Sequence, residues 1–239
     1  MNPDTSAKLL ELNREFYQKF ARSFSATRVR LQPGVLSILK NIPREVRILD
    51  VGCGNGALLR ELIRCGYSGH YTGIDFSETL IEEASQSVGE SLEAVFYLRD
   101  LADPDWVIGL TPPFDRIFAF AVLHHLPGSD LRRQVLFQVA ELLNPGGRFI
   151  HSNWRFLSSP KLRARMQSWE QIDLKLEDVE PGDCLLDWRR DGYGLRYVHY
   201  FTREELSTLA VECGFTVEET FYSDGAGGRL GLYQIWVRL

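Results

Sequence analysis

The chain has 239 residues, 44% hydrophobic and 25% charged, an ordinary globular composition with room for one well-packed domain and an insertion. A net charge of −5 opposes nucleic-acid binding by the surface as a whole, and no apolar run approaches the ~18 residues needed to span a bilayer. Four cysteines, Cys53, Cys65, Cys184 and Cys213, form no C-x-x-C pair, which argues against zinc and against a disulfide framework.

The polar start Met1–Ser6 has no apolar signal core, so the expectation is a cytoplasmic protein with reduced cysteines, no metal and no membrane association. The charge is unevenly distributed. Residues 1–30 hold six basic and three acidic side chains and residues 155–203 hold nine and eight, leaving twelve and twenty-one for the rest. The acidity therefore belongs to the middle of the chain, and the flanking segments are neutral to basic.

In chain order, Asp4 or Ser6 is placed to cap a helix whose Leu9, Leu12, Phe16 and Phe20 follow helical spacing. A short helix runs from Pro33 to Leu39, followed by a strand at Val46–Val51 and a helix from Gly56 to Cys65 that Gly66 ends. Tyr71–Asp75 reads as a second strand, Ser77 and Glu78 open a helix to Val88, and Glu93–Leu98 and Phe114–Phe120 read as strands three and four. The amphipathic helix Asp130–Leu143 stops at Asn144-Pro145-Gly146-Gly147, which turns the chain into a strand at Arg148–Asn153.

Residues 155–200 read as irregular and charged, with Leu162, Met166, Trp169 and Leu176 spaced as the apolar face of a lid helix. Lys161, Arg163 and Arg165 then lie on that helix's other side, facing phosphates or solvent. Helix Arg203–Glu212 leads to strands Phe215–Tyr222 and Leu230–Arg238, joined by Asp224–Gly228 as an antiparallel hairpin. Five strand–helix alternations imply an α/β protein with a parallel sheet and right-handed crossovers.

Asp50-Val51-Gly52-Cys53-Gly54-Asn55-Gly56, a buried strand ending in a glycine-rich turn that opens a helix, is where an α/β protein binds a nucleotide-like cofactor. Gly52-x-Gly54-x-x-Ala57 fits the loose dinucleotide fingerprint. Asp75, about twenty residues on, is placed to accept ribose hydroxyls, so the turn leaves a nicotinamide cofactor and other nucleotides open.

Together, Asp50, Asp100 after the third strand, Ala121-Val122-Leu123-His124-His125 after the fourth, Pro145-Gly146-Gly147 and the closing hairpin resemble class I S-adenosylmethionine-dependent methyltransferases over residues 46–154 and 203–239. The resemblance implies a Rossmann-like, seven-stranded, mostly parallel sheet with a C-terminal antiparallel hairpin, helices on both faces and an inserted lid segment. It divides a single domain into a helical cap (1–45), a cofactor-binding core (46–154), an acceptor-side insertion (155–202) and a final helix and hairpin (203–239). It also implies S-adenosylmethionine as cofactor. Asp50 would lie near its ammonium group, the backbone of Gly52, Cys53, Gly54, Asn55 and Gly56 along its path, Asp75 at its ribose, and Phe76, Asp100 and Leu101 around its adenine. Ser77, Phe120 and Ala121 complete the set.

A narrower resemblance bears on the acceptor. Tyr17-Gln18-Lys19-Phe20-Ala21-Arg22-Ser23-Phe24-Ser25-Ala26-Thr27-Arg28 with Pro33, Trp154, Gly182-Asp183-x-Leu185-x-x-Trp188 and Arg196-Tyr197-x-His199-x-Phe201 are similar to tRNA methyltransferases that esterify 5-carboxymethyluridine at the wobble position. It departs from that pattern at Gln32, Leu58-Leu59 and Asp224–Gly228. The resemblance implies that Arg28, Arg196 and His199 orient a carboxylate, that Trp154, Trp188 and Tyr197 offer flat surfaces for a splayed-out base, and that His125 lies near the methyl position. Partners are then tRNA and, as for eukaryotic relatives, a small activator protein along a sheet edge. A small-molecule acceptor under a lid and a non-catalytic, partner-binding role are the competing readings.

Overall fold

A computed structural model describes residues 1–27, 30–86 and 93–239. The core alternates β1 (Ile48–Val51), α3 (Ala57–Arg64), β2 (Tyr71–Asp75), α4 (Glu78–Gln86), β3 (Ala94–Leu98), β4 (Phe114–Phe120), α5 (Ser129–Leu142) and β5 (Leu143–Trp154). It is preceded by α1 (Pro3–Thr27) and α2 (Pro33–Leu39) and completed by α7 (Arg203–Glu212), β9 (Phe215–Ser223) and β10 (Gly231–Arg238). The seven strands run in the order β3-β2-β1-β4-β5-β10-β9. The first five pair in parallel, and β10 lies antiparallel between β5 and β9.

Apolar side chains on both sides of the strands account for the layers. Leu49, Ile117, Phe149 and Trp236 pack against Leu136 and Val139 of α5 and Leu206 and Leu209 of α7. Ile48, Phe118, Ile150 and Tyr233 pack against Val35 and Ile38 of α2 and Leu59 and Leu62 of α3. The order reverses between β1 and β4, and the crevice beyond their carboxyl ends is where this topology binds ligands.

The insertion departs from the sequence expectation. In place of a lid helix through Leu162, Met166, Trp169 and Leu176, it holds a four-residue α6 (Pro160–Arg163) and a sheet of β6 (Met166–Gln167), β7 (Asp183–Trp188) and β8 (Gly194–His199), antiparallel in that order. Both faces are covered, which hides the two-residue period. Leu185, Tyr197 and Trp169 meet Leu9 of α1 on one side, whereas Cys184, Leu186 and Val198 meet Phe156 on the other.

Polar contacts fix this sheet to the core. Asn13 of α1, 5% exposed, accepts the Tyr197 N–H at 2.8 Å and donates to the carbonyls of Tyr197 and His125, each at 3.2 Å. Glu180 accepts the Ser129 N–H at the start of α5 (3.0 Å) and the Arg132 guanidinium (2.6 Å). Asp183 accepts the Tyr197 hydroxyl (2.6 Å) and pairs with His199 Nδ1 (2.7 Å), whose Nε2 meets Glu205 of α7 (2.8 Å). His199 and Tyr197, expected at the acceptor, are thus structural. Both are buried, and they join the inserted sheet to α5 and α7.

Two predictions follow from this docking. Asn13→Asp keeps the acceptor but turns a carboxylate toward two carbonyls, and should cost about 2–3 kcal/mol in denaturant unfolding; an unchanged midpoint would remove Asn13 from this role. Burial pulls the His199 imidazole down, yet Asp183 and Glu205 outweigh it and hold the group above its ordinary value. A raised histidine contributes stability that is complete below about pH 6.5 and is lost as pH rises through the folded value. Melting temperature should therefore fall between about pH 6 and pH 8 more steeply in the wild type than in His199→Asn; equal slopes would contradict the assignment.

Candidate active site

The glycine turn follows β1 because its backbone needs left-handed angles there. Gly52 has φ +69°, and a Cβ on it would meet Val122 Cγ2 at 2.5 Å; Gly54 has φ +53° and only open space where a Cβ would stand. The Gly54 N–H donates to Asp75 Oδ2 and the Ser77 N–H to Asp75 Oδ1, each at 2.9 Å, so Asp75 locks the turn to the end of β2.

A cavity of about 520 Å³ opens over this turn, and Asp50, Gly52, Cys53, Gly54, Asn55, Asp75, Phe76, Asp100, Leu101, Phe120 and Ala121 all line it. Two of the expected cofactor residues do not. Gly56 opens α3 at φ +74°, and Ser77 is buried beneath Asp75. Ala121 takes a left-handed φ of +59° at the end of β4, held by its N–H to the Ser152 carbonyl at 3.0 Å, a strained position at the cavity wall. Burial pushes the Cys53 thiol well above its ordinary value, which leaves it a packing residue rather than a nucleophile.

Asp50 is the most perturbed carboxylate in the cavity. Burial, opposed by the hydrogen bond donated by the Tyr71 hydroxyl and reinforced by Asp75, pushes it up to about 7. No lysine or arginine pairs with it among the described residues. A ligand cation beside it would supply the missing partner.

His125, Trp154, Trp188 and Arg196 line the same cavity. The Arg196 guanidinium, 6% exposed, lies over the rings of Trp154 (4.9 Å), Phe16 (5.2 Å) and Trp188 (5.8 Å) and has no ion pair or hydrogen bond among the described residues. His125 Nδ1 faces the Tyr197 carbonyl at 3.3 Å, which can only accept, so Nδ1 carries a proton, and Nε2 is hydrogen-bonded with the Tyr17 hydroxyl at 2.7 Å. His199 and Tyr197 do not line the cavity, and Arg28 lies outside the described residues.

Sequence reasoning missed the contribution of α1. Arg14 pairs with Asp100 at 2.6 Å, Tyr17 meets His125, Phe76 packs edge-on to Tyr17 at 5.8 Å, and Asn13 and Arg14 line the cavity beside them. The available signal was a polar Asn13 on the buried Leu9–Phe16–Phe20 face. Tyr233 and Asp224 were also missed: the Tyr233 hydroxyl donates to Asp224 at 2.6 Å, and Asp224 accepts the Gly34 N–H at 3.0 Å, which fixes the start of α2. Among the described residues no group of three or more His, Cys, Asp or Glu is placed to hold a metal, and no helix is long and apolar enough to cross a membrane.

Comparison with known proteins agrees with this geometry. The methyltransferase domain family matches residues 17–220, and the chain belongs to that family. A protein of Encephalitozoon cuniculi that carries a methyltransferase name is 28% identical over 203 residues, covering 84% of this chain and 86% of its own. The tRNA (carboxymethyluridine(34)-5-O)-methyltransferase of Arabidopsis thaliana is 30% identical over 172 residues, covering 70% of this chain; the chain spans only 38% of that enzyme's length. An S-adenosylmethionine-dependent methyltransferase of Methanosarcina mazei has the same fold at 23% identity, with TM-score 0.66 over 87% of this chain and 98% of its own. So does a Haloferax volcanii protein solved with the Trm112 methyltransferase activator, at 16% identity and TM-score 0.65 over 94% of this chain and 96% of that one.

The chain is an S-adenosylmethionine-dependent methyltransferase, and its cofactor is S-adenosylmethionine. The cavity fits that group in kind: a buried carboxylate without a cation among the described residues suits its ammonium, open space over Gly54 admits a ligand to the backbone, and Asp75 and Asp100 line the same cavity.

A carboxyl titrating near 7 must ionise to hold a cation, so cofactor affinity should rise with pH, about tenfold from pH 6 to pH 8 by calorimetry, and lose that slope in Asp50→Asn. A pH-independent affinity in the wild type would contradict the placement of Asp50 at the ammonium.

Proposed function

We propose that this chain O-methylates a carboxylate, that of 5-carboxymethyluridine in tRNA, with Arg196 as its receptor. The observation that carries the reading is the buried guanidinium with no anion beside it among the described residues, held between the rings of Trp154, Trp188 and Phe16 in the cavity that the glycine turn also lines. An interior cation without a partner is costly unless a ligand completes it. A carboxylate supplies the bidentate partner, and the two tryptophans supply faces for the base that bears it.

When bound, S-adenosylmethionine supplies an electrophilic methyl group on a sulfonium centre. Asp50 holds its ammonium, Asp75 its ribose, and Phe76, Asp100 and Leu101 its adenine, with the turn backbone and Phe120 and Ala121 between. A carboxylate acceptor is ionised at neutral pH, so no base is required of His125. The Tyr17–His125 pair instead presents a polar wall beside the acceptor, and Arg196, braced by rings, orients the carboxylate. Charge is neutralised as the ester forms, which a dry site favours.

In this reading residues 1–45 are the cap, 46–154 the cofactor core, 155–202 the acceptor-side insertion and 203–239 the closing helix and hairpin of one cytoplasmic methyltransferase domain. Arg28 is a further candidate for orienting the carboxylate, by the family resemblance alone. A small activator protein pairs along β3, the sheet edge where Val95 and Leu98 stand 47% and 48% exposed; the Haloferax volcanii relative solved with such an activator supports it.

A metabolite carboxylate is the second reading. The 6% exposure of Arg196 and the net charge of −5 favour it.

Labelled S-adenosylmethionine and tRNA lacking the ester should yield alkali-labile label in tRNA. Arg196→Met should lower kcat/KM about 10²-fold while leaving cofactor affinity unchanged, the size expected for losing a charged bidentate contact. Cofactor binding without any transfer to such tRNA would sink the tRNA assignment and leave the metabolite carboxylate.

A further inference from the structure

The connection from β5 into the insertion carries charge that its neighbours do not balance. Arg155, Lys161, Arg163 and Arg165 stand between residues 155 and 169 with no acidic residue among them. Several arginines elsewhere face carboxylates: Arg14 with Asp100, Arg132 with Glu180, Arg133 with Asp130, Arg148 with Glu218 and Arg189 with Asp187. None of the four forms an ion pair among the described residues.

A second segment joins them. The Arg155 N–H donates to the Leu230 carbonyl at 2.7 Å, and its guanidinium lies over Tyr222 (4.5 Å) and donates to the Arg229 carbonyl at 3.2 Å, which brings Arg229 alongside. The acid of that loop, Asp224, is buried, accepts from Tyr233 and Gly34 and forms no ion pair with these cations.

These residues border the acceptor end of the cavity. Leu162, Arg165, Trp154 and Leu230 line it, while Lys161, Arg163 and Arg229 are exposed beside them. Screening confines exposed charges to about 8–10 Å, so a local basic rim attracts a polyanion even on a chain whose sum is negative. The rim lies on segments that also supply the cavity's Trp154, Leu162, Arg165 and Leu230, and Trp188 lines the same cavity, which suits a strand whose phosphates stay outside while one base turns in.

We infer that Arg155, Lys161, Arg163, Arg165 and Arg229 bind the phosphate backbone of the RNA that presents the acceptor. The choice of RNA rests on the tRNA reading above; the placement of its phosphates is a separate claim.

Anisotropy titrations of an unmodified tRNA transcript test it with the full chain and two triple variants. Lys161→Ala, Arg163→Ala and Arg229→Ala removes three exposed rim charges; Lys40→Ala, Arg44→Ala and Arg64→Ala removes three at the opposite end of the parallel strands. The rim variant should flatten the dependence of log affinity on log salt by about 2–3 and weaken binding at least tenfold at low salt, with S-adenosylmethionine affinity unchanged. The remote variant should bind like the wild type.

No measurable tRNA binding by the wild type at low salt, full affinity in the rim variant, or equal loss in both variants would overturn the inference. Methyl transfer to tRNA that persists beside either of the last two results leaves the carboxylate reading standing. Rim-dependent binding without methyl transfer supports the inference and overturns that reading instead.

Discussion

The side-chain amide of Asn13 is the contact on which the arrangement of the cavity depends. Residue 197 sits in β8, residue 125 in the connection after β4 and residue 13 in α1, and one buried amide satisfies the backbone of the first two at once. An unmet N–H or carbonyl at such depth costs about 1–3 kcal/mol, so the three segments are held in register by the cost of separating them. Tyr17, one turn along α1, and the Tyr197 carbonyl then set the orientation of the His125 ring. The polar wall near the acceptor is thus a product of how the helix docks on the inserted sheet.

The cavity lining carries two complementary deficits. Among the described residues, the buried carboxylate at the glycine turn has no cation and the buried guanidinium among the tryptophans has no anion. Each is tolerable because its surroundings lower the cost: the Tyr71 hydroxyl and a raised carboxyl pKa at Asp50, ring faces at Arg196. Protein that binds no charged molecule has little reason to retain both.

The core was legible from local pattern because its signals are local. Tyr71–Asp75, Phe114–Phe120 and Arg203–Glu212 fall where the sequence places them, each bounded by residues that stop or start a strand or helix. The insertion was not. In β7 the run Cys184-Leu185-Leu186 is apolar on both faces, so a strand there lacks the alternation that identifies one, and helical spacing at Leu162, Met166 and Trp169 was fortuitous. Trp154, Trp188 and Arg196 do reach the cavity, whereas Tyr197 and His199 alternate to the opposite face of β8 from Arg196 and anchor the sheet. Resemblance identified the segment; the two-residue period of the strand sorted its members, and that period was invisible without the fold.

Phe16 and Tyr17 are consecutive residues on α1, yet one packs against the Arg196 guanidinium and the other against Phe76 and His125, while Arg14 reaches Asp100. A helix rises about 1.5 Å and turns about 100° per residue, so these three attachments are spaced by backbone geometry that side-chain motion does not alter. The helix therefore serves as a ruler laid across the cavity. Insertion or deletion of one residue within this turn would rotate the attachments on one side of it by about 100° against those on the other, and substitution of any single one would leave the other two as fixed marks.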